Sequence, residues 1–281
     1  RAHGRQIAMN RIVQTFQKLK EARRPGLVVY LTAGDPTLEE TPELVCEAAR
    51  AGADVVELGV PFSDPSADGV VIQHAMERAL STGGAGRDTL RKTLDAVEKL
   101  RARTEVPIVL FGYYNPIFQR GCAKVAKEAA QAGVDGFLVV DLPPEESDEL
   151  DSALAPAGLC RVGLLAPTTP LERARAIAAR GSGFIYYVAL TGVTGAGHLD
   201  SAEVARRTGA LRPALGGLPL AVGFGIKDGA GARAVAPSAD AVVVGSALIE
   251  AIANAPDRAG RLGACRELVS SLRAAIDSRI S

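Results

Sequence analysis

Residues 53–69, ADVVELGVPFSDPSADG, set a glutamate inside an apolar run and two aspartates in the loop behind it. Val55, Val56, Leu58 and Val60 read as a buried strand, and Glu57 interrupts it where a carboxylate is costly to bury. If Val56 and Leu58 face one way, strand alternation turns Glu57 the other way. Burial raises a carboxyl pKa, so such a group can both donate and accept a proton near neutrality. Asp68 follows eleven residues later, beyond Pro61 and Pro65, on a loop able to fold back toward Glu57. Two acids in different surroundings hold different protonation states, the usual division between acid and base. The bland reading of Glu57 is a structural ion pair. The strand-like runs contain no lysine, however, and only Arg161, near the start of a run, could serve.

Glycines mark a second chemistry. VGFGIKDG places Gly223 and Gly225 at the end of one apolar run, and VVVGSALIEAI places Gly245 and Ser246 between another run and a helix. Close backbone approach and free N–H groups at a helix start suit an anion, the phosphate of a small molecule, while the bland reading is that these glycines only permit tight turns. LTGVTGAGHL, with Gly192, Gly195 and Gly197, reads as a lid or an ordinary flexible loop. Asp141 in VVDLPPEES is a site residue or a local cap. His3, His74 and His198 are scattered without metal-ligand spacing, so no metal is expected. No Walker loop, G-x-S-x-G elbow or Cys/His pair occurs.

These residues need a frame. Eight apolar runs recur, at 27–33, 54–60, 107–114, 136–142, 160–166, 183–189, 219–225 and 241–247. Unbroken apolar character fits strands covered on both faces, hence a parallel sheet. Amphipathic segments lie between them; in RDTLRKTLDAVEKLRAR, Leu90, Leu94, Val97 and Leu100 share a face. The expected fold class is α/β, a (β/α)8 TIM barrel, with an open doubly wound sheet as the rival. RIVQTFQKLKEARR predicts an extra N-terminal helix under the barrel. Residues 61–106 hold two helical pieces, so one helix is inserted after the second strand. One domain is expected over 1–281, with 1–10, which open on Arg1, as a disordered or added segment.

Composition narrows the class further. Of 281 residues, 47% are hydrophobic and 23% charged, and 32 Lys plus Arg balance 32 Asp plus Glu. No global field attracts nucleic acid or an anionic membrane. Cys46, Cys122, Cys160 and Cys265 form no CxxC and read as buried hydrophobes in a reducing compartment. Without a membrane-length apolar run or a signal-like start, the expectation is an intracellular protein, cytoplasmic, or plastid if from a plant or alga.

Together YLTAGDP, ELGVPFSDPSADG, FGYYNPI, DLPPEES, GFIYYVALTGVTGAG, AVGFGI and VVVGSA, ordered across about residues 11–255, resemble the tryptophan synthase alpha chain family. The resemblance implies a TIM barrel that cleaves indole-3-glycerol phosphate to indole and glyceraldehyde 3-phosphate. It puts Glu57 at the catalytic glutamate, Asp68 at the aspartate that holds the indole N–H, and Tyr186 beside the glutamate. Thr194 matches the lid threonine; Gly195, Gly225, Gly245 and Ser246 match the phosphate cradle; Tyr30, Phe111 and Tyr113 line the indole end. It further implies no cofactor on this chain and an α2β2 assembly whose beta subunit carries pyridoxal phosphate. The beta contacts fall at Pro61, Asp64, Pro65, Asn115 and Pro116. The family's usual DPxADGP reads DPSADGV here, with Val70 for proline and Ser66 at a position more often bulky. Stand-alone indole-releasing lyases share these motifs. A phosphosugar isomerase predicts an inward His, Lys or metal set instead, and a silent partner-activating barrel predicts loss of the two acids.

Overall fold

The computed structural model describes residues 10–81, 88–189, 201–223 and 225–278. Helix α1 (Arg11–Glu21) leads into β1 (Gly26–Thr32), α2 (Thr41–Arg50) and β2 (Val55–Gly59). Then come α3 (Val70–Ser81), α4 (Thr89–Arg101), β3 (Ile108–Gly112), α5 (Tyr114–Arg120), α6 (Cys122–Ala132) and β4 (Gly136–Val139). Next are α7 (Asp148–Leu154), β5 (Cys160–Arg161), β6 (Gly163–Leu165), α8 (Leu171–Arg180) and β7 (Ile185–Val188). The chain continues through α9 (Ser201–Leu211), β8 (Leu220–Gly223), α10 (Gly229–Val235), β9 (Ala241–Val244), α11 (Ser246–Ala253) and α12 (Arg258–Asp277).

All strands are parallel, in the order β5-β4-β3-β2-β1-β9-β8-β7-β6. The two end strands are halves of the single predicted run at 160–166, interrupted at Val162. Its first half pairs with β4 and its second with β7, while the Val162 N–H donates to the Phe137 carbonyl at 2.8 Å. The ninth strand is therefore a split fifth one, and the sheet curls into a barrel of eight positions. Neighbours in sequence are neighbours in the sheet, with no reversal of strand order, which disposes of the doubly wound alternative.

The alternation expected along β2 is present. Val56 and Leu58 join the outer core with Leu44, Val45 and Ala48 of α2, whereas Val55 joins the inner core with Val28, Val109, Leu138 and Val243. Helix α1 closes the floor from below, burying Ile12, Phe16 and Leu19 in that inner core, with the rings of Phe16 and Phe184 5.2 Å apart. Close packing demands the glycine at 26, where a Cβ would come 2.8 Å from Leu19 Cδ1.

The inserted helix is α3. It buries Ile72, Ala75 and Met76 against Tyr30, Tyr113 and Ile249, and Arg78 clamps the buried Asp35 of the β1–α2 loop through two bonds of 2.9 and 2.8 Å. Val70 opens this helix at 63% exposure, in a position that proline suits well. The four cysteines are buried and free. Among the described residues no helix is long and apolar enough to cross a membrane. The reading of residues 1–10 as an added segment concerns mostly positions outside the described residues.

Candidate active site

Glu57 sits midway along β2, paired in register with Tyr30 of β1 and Val109 of β3, and is 1% exposed. Its Oε1 has no hydrogen-bond partner, and burial alone pushes its pKa up to about 8. Among the described residues no cation offsets the burial. Arg161, the one strand-borne base considered from sequence, instead bonds the Ser147 hydroxyl, the Leu142 carbonyl and Asp151. Glu57 is thus an inward carboxyl group that holds its proton at neutral pH, above an inner core of Val28, Val55, Val109 and Leu138.

Two phenols flank it. Tyr30 is fully buried, and its hydroxyl accepts from Thr32 Oγ1 at 3.2 Å. Tyr186 extends from β7 and packs on the inner core; burial raises its pKa first, and the charges of Glu57 and Asp68 raise it further. Each phenol needs a glycine beneath it. A Cβ at Gly59 would come 2.0 Å from the Tyr30 hydroxyl, and one at Gly223 would come 2.7 Å from that of Tyr186. The strand-end glycines therefore make room for aromatic side chains as well as for turns.

Asp68 lies in the β2–α3 loop, half-buried. Burial raises its pKa, and a hydrogen bond donated by the Tyr113 hydroxyl to Oδ2, 2.6 Å long, opposes the rise. The same hydroxyl accepts from the Ala67 N–H at 3.0 Å, and Gln73 Nε2 donates to the Asp68 carbonyl at 2.9 Å. The loop is folded inward, as the sequence predicted. Tyr30 and Phe111 meet edge to face at 5.3 Å, and Phe62 stacks on Tyr113 at 4.8 Å, giving an aromatic wall next to the two acids. Tyr30, Phe111 and Tyr113 are thus brought together. The role of Phe62, and the Tyr113–Asp68 bond, were missed from sequence.

Gly245 and Ser246 cap and open α11, where β9 ends. A Cβ on Gly245 would come 3.4 Å from the Tyr30 Cβ, so this helix start lies against the same tyrosine that pairs with Glu57. Gly225, at φ +72°, follows β8, the hydrogen-bonded neighbour of β9. A helix N-terminus with two adjoining glycine turns can hold an anion next to a proton-transfer group. Thr194 and Gly195, with the expected lid, lie outside the described residues.

Asp141 reaches a distant helix rather than its own Pro-rich turn: its Oδ1 accepts the Tyr114 N–H of α5 at 2.7 Å. His74 is exposed on α3, and no group of three potential metal ligands occurs among the described residues. Of the residues expected at a partner surface, Pro61, Asn115 and Pro116 line one cavity of about 640 Å³ with Phe62 and Arg120. Asp64 is exposed and Pro65 half-buried in the adjoining loop, outside that lining. Phe118, 57% exposed on the same helix α5, lies outside that lining with its ring 5.9 Å from that of Tyr114, and was not anticipated.

The comparisons with known proteins agree with this geometry. The family model described as tryptophan synthase alpha chain matches residues 16–276. The chain is 49% identical over 276 residues to the tryptophan synthase alpha chain of Laribacter hongkongensis, covering 96% of this chain and 100% of that protein. It is 53% identical over 242 residues to that of Geobacter sp. strain M21, covering 86% and 89%. Among solved structures, tryptophan synthase subunit alpha from Legionella pneumophila str. Paris superposes with a TM-score of 0.86 at 43% identity, over 96% of this chain and 100% of that one. With the barrel, the inward glutamate and these relatives in place, the chain belongs to the tryptophan synthase alpha chain family.

Proposed function

We propose that this lyase-type enzyme cleaves indole-3-glycerol phosphate to indole and glyceraldehyde 3-phosphate, a retro-aldol reaction. The observation that carries the proposal is Glu57: inward, unpaired, and protonated up to about pH 8. In its neutral form it donates a proton to the ring carbon that bears the glycerol side chain. The ring becomes a cation, and Asp68, carboxylate outward from Tyr113, accepts the indole N–H and stabilises that charge. The resulting Glu57 carboxylate then removes the proton from the hydroxyl on the adjacent side-chain carbon. The C–O electrons form the aldehyde as the carbon–carbon bond breaks, and the bonding pair returns to the ring to give neutral indole. Glu57 ends protonated, as it began, now with the hydroxyl's proton, so one group with a near-neutral pKa serves both transfers.

The protonated ring is the electron sink, so the step asks for no prosthetic group on this chain. Tyr186 packs beside the glutamate and Tyr30, Phe111 and Tyr113 enclose the indole. The backbone of Gly225, Gly245 and Ser246 receives the phosphate, joined by Thr194 and Gly195 of the lid. The proposed partner is a beta chain carrying pyridoxal phosphate, in an α2β2 assembly, docked at Pro61, Asp64, Pro65, Asn115 and Pro116. The test is indole release from indole-3-glycerol phosphate by the purified chain, alone and with a beta subunit. Slow turnover alone, stimulation by the partner and none in Glu57→Gln are expected. Equal rates in variant and wild type would remove Glu57 from this role.

A further inference from the structure

Tyr113 stands where β3 ends and grips the β2–α3 loop at both of its ends. Its ring stacks on Phe62 at the start of the loop, with centroids 4.8 Å apart and planes inclined by 23°. At the far end its hydroxyl accepts the Ala67 N–H at 3.0 Å and donates to Asp68 Oδ2 at 2.6 Å. The remaining oxygen, Oδ1, accepts no hydrogen bond among the described residues. From α3 comes only the neutral Gln73 amide, which bonds the loop's carbonyls at Asp68 and Pro65 (2.9 and 3.4 Å). The family's proline after Asp-Gly is replaced by Val70, whose side chain is 63% exposed and packs on little. A preset backbone φ is therefore missing from the place where the loop enters the helix.

We propose that Tyr113 is the positioning residue for Asp68, fastening the loop and turning the other carboxylate oxygen toward the indole N–H. The proposal rests on the lyase reading above and deepens it. A phenol fixed on a strand end is a short, directional donor, and a donor to the charged form of a carboxylate favours that form. Its hydrogen bond counteracts the burial that raises the Asp68 pKa. The other ionisable groups around the pair are acids or phenols. Tyr30 from β1 and Tyr186 from β7 both feel the charges of Asp68 and of Glu57 on β2, and Asp141, after β4, acts on Tyr113 itself. Among the described residues no cation faces Asp68 to do the same work, and the Tyr113 hydroxyl is the side-chain donor that supports the ionised carboxylate.

Tyr113→Phe keeps the ring on Phe62 and removes only the hydroxyl. The expected result is a kcat for indole release lower by about 10- to 100-fold, the usual worth of a hydrogen bond to a charged group. The acid limb of the pH–rate profile should move to higher pH. The second readout needs no substrate: the Asp68 carboxyl carbon, followed by NMR in the free protein, should titrate at higher pH in Tyr113→Phe than in wild type. An unchanged kcat and acid limb, or an Asp68 titration that does not move, overturns the assignment. If wild type releases no indole, the lyase reading fails, and the carboxyl titration still decides whether Tyr113 holds Asp68.

Discussion

Replacing Glu57 with Gln removes a titratable proton from the barrel while keeping the shape of the side chain, so it tests the central claim without any substrate. In the unfolded chain the carboxyl ionises near 4.5; in the folded barrel burial raises this to about 8. An acid whose folded pKa is raised destabilises the fold where the unfolded chain has lost its proton. Below about pH 4.5 both states are protonated and the group costs nothing extra. From there to about pH 8 stability falls by roughly 1.4 kcal/mol per pH unit, and above about pH 8 the full cost of about 5 kcal/mol is reached. That is a large share of the roughly 5–15 kcal/mol by which domains are stable. Gln carries no such charge. Urea unfolding of both proteins from pH 5.5 to 9 should show the variant gaining on wild type with rising pH, then levelling near pH 8. The same variant should release no measurable indole, and wild-type release should decline above about pH 8 as Glu57 loses its proton. Two parallel stability curves across this range would refute the reasoning, whatever the activity of the variant.

Asp68→Asn should fold normally and lose about 10- to 100-fold in kcat, because a neutral amide cannot support a cationic indole; steady-state indole release checks it. Gly59→Ala places a Cβ 2.0 Å from the Tyr30 hydroxyl, so the phenol must leave its place. The expected outcome is a higher KM and about 1–3 kcal/mol of lost stability by urea unfolding. Asp135→Ala strips the charge partner from Arg101, one of two from Arg11, and the acceptor from the Ile108 N–H, each bonded at 2.8–3.0 Å. It should cost about 3–5 kcal/mol by urea unfolding and leave the substrate KM unchanged. Phe118→Asp should weaken binding to a beta chain in calorimetric titration and leave the isolated chain's slow indole release intact.

The strands were the legible part. Runs covered on both faces are apolar at every position, and all eight predicted runs became barrel positions. Their ends were less so. The run at 107–114 stops at Gly112, since Tyr113 and Tyr114 turn into α5, and the run at 136–142 stops at Val139 before a proline pair. Glu57 could be aimed from sequence because a period of two leaves one choice once Val56 and Leu58 are assigned. The bond between Asp68 and Tyr113 spans forty-five residues and depends on how a loop folds over a neighbouring strand, which no local pattern records. Asp141 had two readings, a site residue or a local cap, and neither points to the helix start twenty-seven residues back that it bonds. A further signal was in plain view and unused: GADV, GVDG and SADA each set an aspartate one residue before an apolar run.

Those three aspartates make one device. Asp54, before β2, donates its N–H to the Leu27 carbonyl of β1 and accepts the Leu27 N–H on its carboxylate, both at 2.8 Å. Asp135 does the same to Ile108 of β3, and Asp240 to Leu220 of β8. Ser182 repeats the clasp on Arg161 with a hydroxyl. Arginines hold the three carboxylates from outside: Arg24 and Arg273 on Asp54, Arg11 and Arg101 on Asp135, and Arg212 on Asp240. At the floor each of these three acids has partners and each clasp fixes two strands to each other. At the mouth the same strands carry Glu57 without a hydrogen bond to its Oε1, Asp68 on a loop, and phenols leaning over glycines. A buried carboxyl with a raised pKa persists only where the surrounding structure is held by other means. The clasped floor, with α1 packed into it, supplies that rigidity, and this explains why the barrel tolerates a destabilising glutamate at the one end where a proton must be moved.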